Sequence, residues 1–385
     1  MFDELDNLQV AAKQQAPNGW RPAIEFDALK GEGVATTSGL ISEPNYDEFL
    51  RGAGYDPEIY EVVGNTVRTS KWQQREGGDW LTSFRFTFRL KTATVDLPLL
   101  YAQAKKTKPA TPPLTASEKV LVVCWADSQT GKVDSRGGTS ELIERIIAKQ
   151  QKLEAHLKKN RYQKILFFNV GDSIEGFDSG GNPLRTNDLS LMQQVDLEAT
   201  FEWETLKLLA KHAPVEAASV GSNHCAWRQS KTRLGTPQDD WGIHIQRTLA
   251  RLSFEVGLSI KFYEPELQDE SLALDPFGDQ SFIVGLVHGH QASKPESMAH
   301  WWRGQSHGDQ PVAHADLLIH GHWHHLRVQE TGRKNNRSRW IVACPTLDNG
   351  SSWYRNTMGG DDSDPGLLII PLTHGEGFTG TVIKL

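Results

Sequence analysis

Three cysteines are scattered through 385 residues, at positions 124, 225 and 344. That is too few, and too dispersed, for a disulfide framework or a thiolate zinc site. No apolar run approaches the roughly 18 residues of a membrane-crossing helix. The first residues, MFDELDNLQVAAKQQ, are acidic and amphipathic and lack the apolar stretch of a secretory signal. Together these absences lead us to expect a reducing, cytoplasmic setting with no membrane contact. A surplus of positive charge is also missing: the formal net charge is −7, so no global nucleic-acid footprint exists. A local one remains open.

What is present reads as ordinary globular protein, with 38% hydrophobic and 23% charged residues. The length suits two domains. Near residues 105 to 118 runs KKTKPATPPLTASE, a Lys- and Pro-rich stretch that resists packing. We therefore expect an N-terminal accessory domain over 1–104, a linker over 105–118 and a catalytic domain over 119–385. Residues 61 to 110 hold nine Lys/Arg against four Asp/Glu. Within them, period-two alternation places Phe84, Phe86, Phe88 and Leu90 on one strand face, with Arg85, Thr87, Arg89 and Lys91 on the other. This is either a solvated sheet face or a basic platform for a polyanion. The accessory domain could equally serve self-association into a homo-oligomer. Twelve tryptophans are many, and the stretch His300-Trp301-Trp302 to His314 reads as a polar, Trp-containing surface loop suited to a nucleic-acid track.

Beyond the linker, buried-type strands alternate with amphipathic helices, expected over 139–160, 188–212 and 239–252, and strands dominate later. The informative regularity lies just past the end of each strand. VLVVCWA runs into Asp127-Ser128-Gln129, and ILFFNV into Gly171-Asp172-Ser173-Ile174-Glu175. EAASV runs into Gly221-Ser222-Asn223-His224, FIVGLV into His288-Gly289-His290, and DLLI into His320-Gly321-His322-Trp323-His324. Ligands of open α/β sheets bind at the carboxyl ends of strands, so five such ends would address one crevice. Carboxylate, amide and imidazole donors suit manganese, iron, zinc or magnesium, and paired ions can hold a phosphoryl group between them.

In this order the motifs resemble the calcineurin-like metallophosphoesterases, whose pattern is Asp-x-His, Gly-Asp-x-x-Asp/Glu, Gly-Asn-His-Asp/Glu, His and Gly-His-x-His. The resemblance runs from Asp127 to His324. It implies a four-layer α/β/β/α sandwich, preceded here by a small N-terminal α/β domain. It further implies two divalent ions, with manganese foremost. Asp127, Gln129, Asp172 and His324 would hold the first; Asp172, as a bridge, with Asn223, His288 and His322 would hold the second. His224 corresponds to the catalytic histidine, and Glu175 to the acid that orients it. His290 and His320 are open alternatives to their neighbours.

The sequence departs from the pattern at three places. Gln129 replaces a histidine, Ser222 a glycine, and Cys225 an acid. The Arg that comes after the second motif in protein phosphatases is Gly176 here, which argues against that branch. Arg136 and Arg228 are candidates for phosphate contact instead. The stretch Asp127-x-Gln129-x-Gly131-Lys132, with Asp348-Asn-Gly-Ser-Ser-Trp-Tyr354, is similar to bacteriophage-encoded phosphoesterases regarded as DNA-processing enzymes. A DNA exonuclease or endonuclease is thus the leading expectation. A nucleotide or other small-molecule phosphoesterase and a non-catalytic phosphoesterase-like subunit are the alternatives.

Overall fold

The computed structural model describes residues 23–27, 32–38, 46–73, 80–90, 118–177, 186–229, 232–352, 354–358 and 363–385. The expected linker, Glu118 aside, lies outside them, as do the side chains of Leu90 and Lys91. Contacts divide the chain into two compact units, Met1–Ala93 and Thr94–Leu385.

The first unit is an antiparallel sheet in the order β1-β2-β4-β3, from β1 (Ala23–Asp27), β2 (Glu32–Ser38), β3 (Tyr60–Gln73) and β4 (Trp80–Leu90). A short helix, α1 (Tyr46–Gly52), contributes Leu50 to its core. Alternation along β4 is as expected from its sequence. Phe84, Phe86 and Phe88 are buried together with Leu50 and Val62, whereas Arg85, Thr87 and Arg89 are exposed.

Besides a small antiparallel pair, β8 (Arg228–Gln229) with β9 (Thr232–Arg233), the second unit holds two larger sheets. The first has the order β10-β7-β6-β5-β16-β17. Its parallel part is β5 (Lys119–Trp125), β6 (Lys164–Asn169), β7 (Val215–Ser219) and β10 (Ile260–Tyr263). Its antiparallel edge is β16 (Leu368–Thr373) and β17 (Ile383–Lys384). The second sheet has the order β11-β12-β13-β15-β14. It comprises β11 (Ser271–Leu274), β12 (Val284–Val287), β13 (Leu317–His320), β14 (Arg327–Lys334) and β15 (Arg337–Ala343). Strands β12, β13 and β15 run parallel to one another.

Burial obeys the pleat. Leu121, Val123 and Trp125 of β5 face the helices α2 (Thr139–Lys159), α3 (Leu191–Ala210) and α4 (Trp241–Glu255). Val120, Val122 and Cys124 face the other way, against Leu286, Ile319 and Val342 of the second sheet. Strands buried on both faces read as continuous apolar runs, so the division of β5 between two cores is invisible in its sequence. On its far side the second sheet packs Val287, Leu318 and Ile341 against α5 (Met298–His307).

Helix α5 corrects the expected Trp-rich surface loop. Met298 and Trp302 are buried beneath it, the Trp302 indole N–H donates to the Val312 carbonyl at 2.8 Å, and the Arg339 guanidinium lies 3.9 Å over its ring. Trp302 is a core residue that stacking partners cannot reach. Helices α3 and α4 start where capping chemistry predicts. Ser190 and Gln193 form a reciprocal capping box at α3, and Asp240 accepts from Gly242 N and Ile243 N at α4.

Candidate metal centre

All the parallel strands of the second unit except β10 deliver a candidate residue beyond their carboxyl ends. β5 leads to Asp127, β6 to Asp172, β7 to Asn223, β12 to His288 and β13 to His322 and His324. A sixth, β15, leads to Asp348, which sequence reasoning does not single out as a site residue. The backbone at these ends is strained. Among the described residues nine non-glycine positions have positive φ, and five of them are Asp127, Gln129, Asp172, His322 and His324. Such conformations cost of order 1–3 kcal/mol each and persist only where neighbours fix them. Here neighbouring loops do so: Gln129 N donates to Asp172 O at 2.9 Å, and Thr130 N to Ser173 O at 3.1 Å. Two glycines are obligatory. A Cβ on Gly171 would fall 2.6 Å from His288 Nδ1, and one on Gly321 would fall 2.4 Å from Asp127 Oδ2.

The tightest grouping is Asp172, His288 and His322, whose donor atoms all lie within 4.8 Å of one another. His288 is fully buried, and its Nδ1 donates to the Val170 carbonyl at 2.8 Å, because a carbonyl only accepts. That leaves Nε2 turned to Asp172 Oδ2 at 3.1 Å and Asn223 Oδ1 at 3.0 Å; burial works against it, but Asp172 raises His288 to about 9, so Nε2 holds a proton between the two oxygens. A cation bound here would replace that proton, and the anchoring of Nδ1 is the usual support of a ligating histidine. Burial and the nearby His288 push His322 down to about 2, so its imidazole is neutral and able to donate a lone pair. Asp172 is held well below the usual carboxylate range: burial opposes this, but His288, His224 and His322 outweigh it. Asp172, Asn223, His288 and His322 therefore fit a divalent ion by geometry and donor type.

Asp127 and His324 make a second, looser pair, with Oδ1 and Nε2 3.4 Å apart. The Asp127 carboxylate also accepts from the His322 amide at 3.0 Å and 3.1 Å. His324 Nδ1 lies 3.4 Å from Asp348 Oδ2. Gln129 points elsewhere. Its Oε1 accepts from the Lys132 ammonium at 2.5 Å, and its Nε2 is 3.2 Å from His224 Nε2. Lys132, almost wholly buried, is bound at its other side to Asp348 at 2.6 Å.

His224 is hinged on two partners. Its amide donates to Asp172 Oδ1 at 2.8 Å, and its Nδ1 is 3.0 Å from the Glu175 carbonyl and 3.3 Å from Glu175 Oε2. Burial disfavours the imidazolium, but the carboxylates of Asp172 and Glu175 raise its pKa to about 9. Gly176 has φ of +66°, and a Cβ there would meet the His224 carbonyl at 2.8 Å, so no arginine fits this backbone. At the position of the missing acid, the Cys225 thiol is buried against Ile174, and burial pushes it well up. Asp240 staples the loop from elsewhere by accepting from Ser222 N at 2.8 Å.

The remaining candidates are not among the converging donors, although the His290 ring stands 5.4 Å from that of His288 and 6.2 Å from that of His322. Arg136 and Arg228 are partly buried and make no hydrogen bond to the cluster residues; Arg136 Nη1 and Arg228 Nε have no protein partner among the described residues. His290 Nε2 lies 3.8 Å from Glu270, and burial lowers it to about 4. His320 is buried, with Nδ1 donating to Gly321 O at 2.9 Å.

No family model matches the chain. The SPbeta prophage-derived uncharacterized protein YonJ of Bacillus subtilis (strain 168) is 21% identical over 266 residues, which is 67% of this chain and 63% of that protein. The chain thus spans less than two thirds of that relative's length. Among solved structures, a predicted phosphoesterase from Streptococcus pneumoniae TIGR4 is 9% identical. It covers 69% of this chain and 97% of its own, with a TM-score of 0.24. PhoD is 10% identical over 93% of this chain and 86% of its own, with a TM-score of 0.32. Scores this low carry no weight about activity, and the functional reading rests on the geometry of the strand ends.

Proposed function

We propose that the second unit is a metal-dependent phosphodiester hydrolase, with DNA as its leading substrate class. One observation carries this reading. The buried carboxylate of Asp172 has one oxygen facing His288 Nε2, while the other accepts from the backbone of His224. It ties a cation seat to an acid imidazole. The order of packing, helices on sheet on sheet on helix, agrees with the four-layer sandwich that the motifs imply.

In this reading Asp172, Asn223, His288 and His322 hold one ion, and Asp127, Asp172 and His324 border a position for a second. Manganese suits the oxygen–nitrogen donor set best, with iron, zinc and magnesium as the other fits. Divalent ions held there polarise a phosphoryl oxygen and lower the pKa of an attacking water. The chain's own part is proton management. Glu175 orients His224 through Nδ1, and Nε2, 3.2 Å from Gln129 Nε2, is the nitrogen left to protonate the departing oxygen once substrate displaces that amide.

Two exposed aromatics support a nucleic-acid substrate. Phe177 and Trp227 are 41% and 60% exposed, and each comes directly after a site segment, Glu175-Gly176 and His224-Cys225-Ala226. Exposed rings beside a phosphate-binding centre suit base stacking. The presence of His224 with its orienting acid weighs against a non-catalytic subunit.

The decisive assay incubates the protein with manganese and a generic phosphodiester, a phosphomonoester, and labelled single- and double-stranded DNA. We expect cleavage of the diester and of DNA. Turnover of the diester alone would remove DNA and favour a small-molecule substrate. Turnover of nothing would remove the hydrolase reading.

A further inference from the structure

The two metal positions are unequal, and the cause is Lys132. We infer that the Lys132 ammonium takes over the oxygen through which Gln129 would have served the first ion, so the protein holds one ion tightly and the second weakly. This rests on the metal-centre reading of the proposed function.

Lys132 is more than nine-tenths buried, and both partners of its ammonium are as deeply placed. Gln129 Oε1 lies at 2.5 Å and Asp348 Oδ2 at 2.6 Å, with Gln129 2% exposed and Asp348 fully buried. The amide cannot turn round, since its NH2 would then face an ammonium. A metal–oxygen bond is about 2.2 Å long. A dication on Gln129 Oε1 would therefore sit within about 4.7 Å of a buried positive charge, with little water to screen it. At the second position, by contrast, His288 Nε2 and the oxygens of Asp172 and Asn223 converge with no lysine or arginine bonded to them among the described residues. Lys132 thus brings to the cleft one of the charges that a second ion would bring, and it does so permanently.

The inference also gives Asp348 a role. Its Oδ2, 2.6 Å from the ammonium, balances the charge of a lysine that is more than nine-tenths buried.

The test is metal content of the full chain after loading with excess manganese and desalting, read by elemental analysis and by electron paramagnetic resonance. We expect one manganese per chain, with the six-line signal of an isolated ion. Gln129→Ala should leave that content unchanged. Lys132→Ala, which frees the Gln129 oxygen and removes the repelling charge, should raise it toward two and bring in the broadened multiline signal of a coupled pair. Two equally retained ions in the unaltered protein would overturn the inference while leaving the metal centre intact. So would a loss of manganese in Gln129→Ala, or one ion persisting in Lys132→Ala. No retained manganese at all would overturn both this inference and the metal centre. If Lys132→Ala fails to fold, the unaltered protein and Gln129→Ala still decide.

Discussion

At the residue scale the proposed function separates residues that would hold cations from residues that would move protons. Asp172 touches both groups, through His288 on one oxygen and the His224 amide on the other. Replacing Asp172 by Asn removes the charge and should deplete bound metal several-fold; unchanged metal content would contradict the assignment. His224 is different. His224→Ala should lower diester turnover by about 10²- to 10⁴-fold, the usual share of a general acid, with metal content near that of the unaltered protein. Full activity in that variant would remove it as the acid. The sequence makes these residues legible because each stands just beyond an apolar run. It does not make Asp348 legible, since its contacts, Lys132 and His324, are 216 and 24 positions away and only the fold brings them together. Gln129 is visible as a departure, but its consequence is not: Lys132 reads in the sequence only as part of a motif, and the direction of an amide is a property of its surroundings.

At the element scale, the strand ends are backed by helix α3, which carries two fully buried carboxylates. Glu198 accepts from Trp125 Nε1 at 2.7 Å, Ser128 Oγ at 2.8 Å and Thr130 Oγ1 at 2.6 Å, thereby fixing the loop that presents Asp127 and Gln129. Glu202 accepts from Asn169 at 2.7 Å and from Gln246. Burial is the main cause that raises Glu198 to about 7, against the three donors, and burial and Glu198 together raise Glu202 well up. The folded state therefore binds a proton at Glu198 that an unfolded carboxyl releases near pH 4.5. Stability from this group is full below that value and is lost as pH rises through about 7. Glu198→Gln should remove that loss. The melting temperature of the variant relative to the unaltered protein should rise by a few degrees between about pH 5 and pH 8, and a constant difference would contradict the argument. Helix α3 is legible in the sequence from its apolar spacing, but its acids are not, because a carboxylate at a helical position is ordinarily solvated. The same applies in reverse to α5. Its Trp-rich sequence carries His, Arg, Gln and Ser at close spacing, and only the sheet beneath it shows which side is covered.

At the scale of the whole molecule, the sequence changes character from an acidic start over residues 1–60, through a basic stretch over 61–110, to an α/β remainder, and contacts divide the chain into two compact units. The contact boundary, after Ala93, precedes the expected linker, whose residues fall outside those described. What the net charge of −7 conceals is a local arrangement. In the first unit Arg68 and Arg85 are directly opposite each other on β3 and β4, both exposed, and they share a face with Arg89. Arg89 is paired with Glu61 at 2.8 Å, but like charges directly opposite each other destabilise a sheet. A polyanion bound across Arg68 and Arg85 would relieve that repulsion. If DNA binds there, changing both to Ala should weaken DNA binding and reduce its salt dependence by about one unit of log–log slope per arginine. Turnover of a small diester, which needs only the metal centre of the second unit, should be unaffected. Equal affinity and an unchanged salt slope in the double variant would assign this face to solvent, and the DNA contacts would then have to lie within the second unit, beside Phe177 and Trp227.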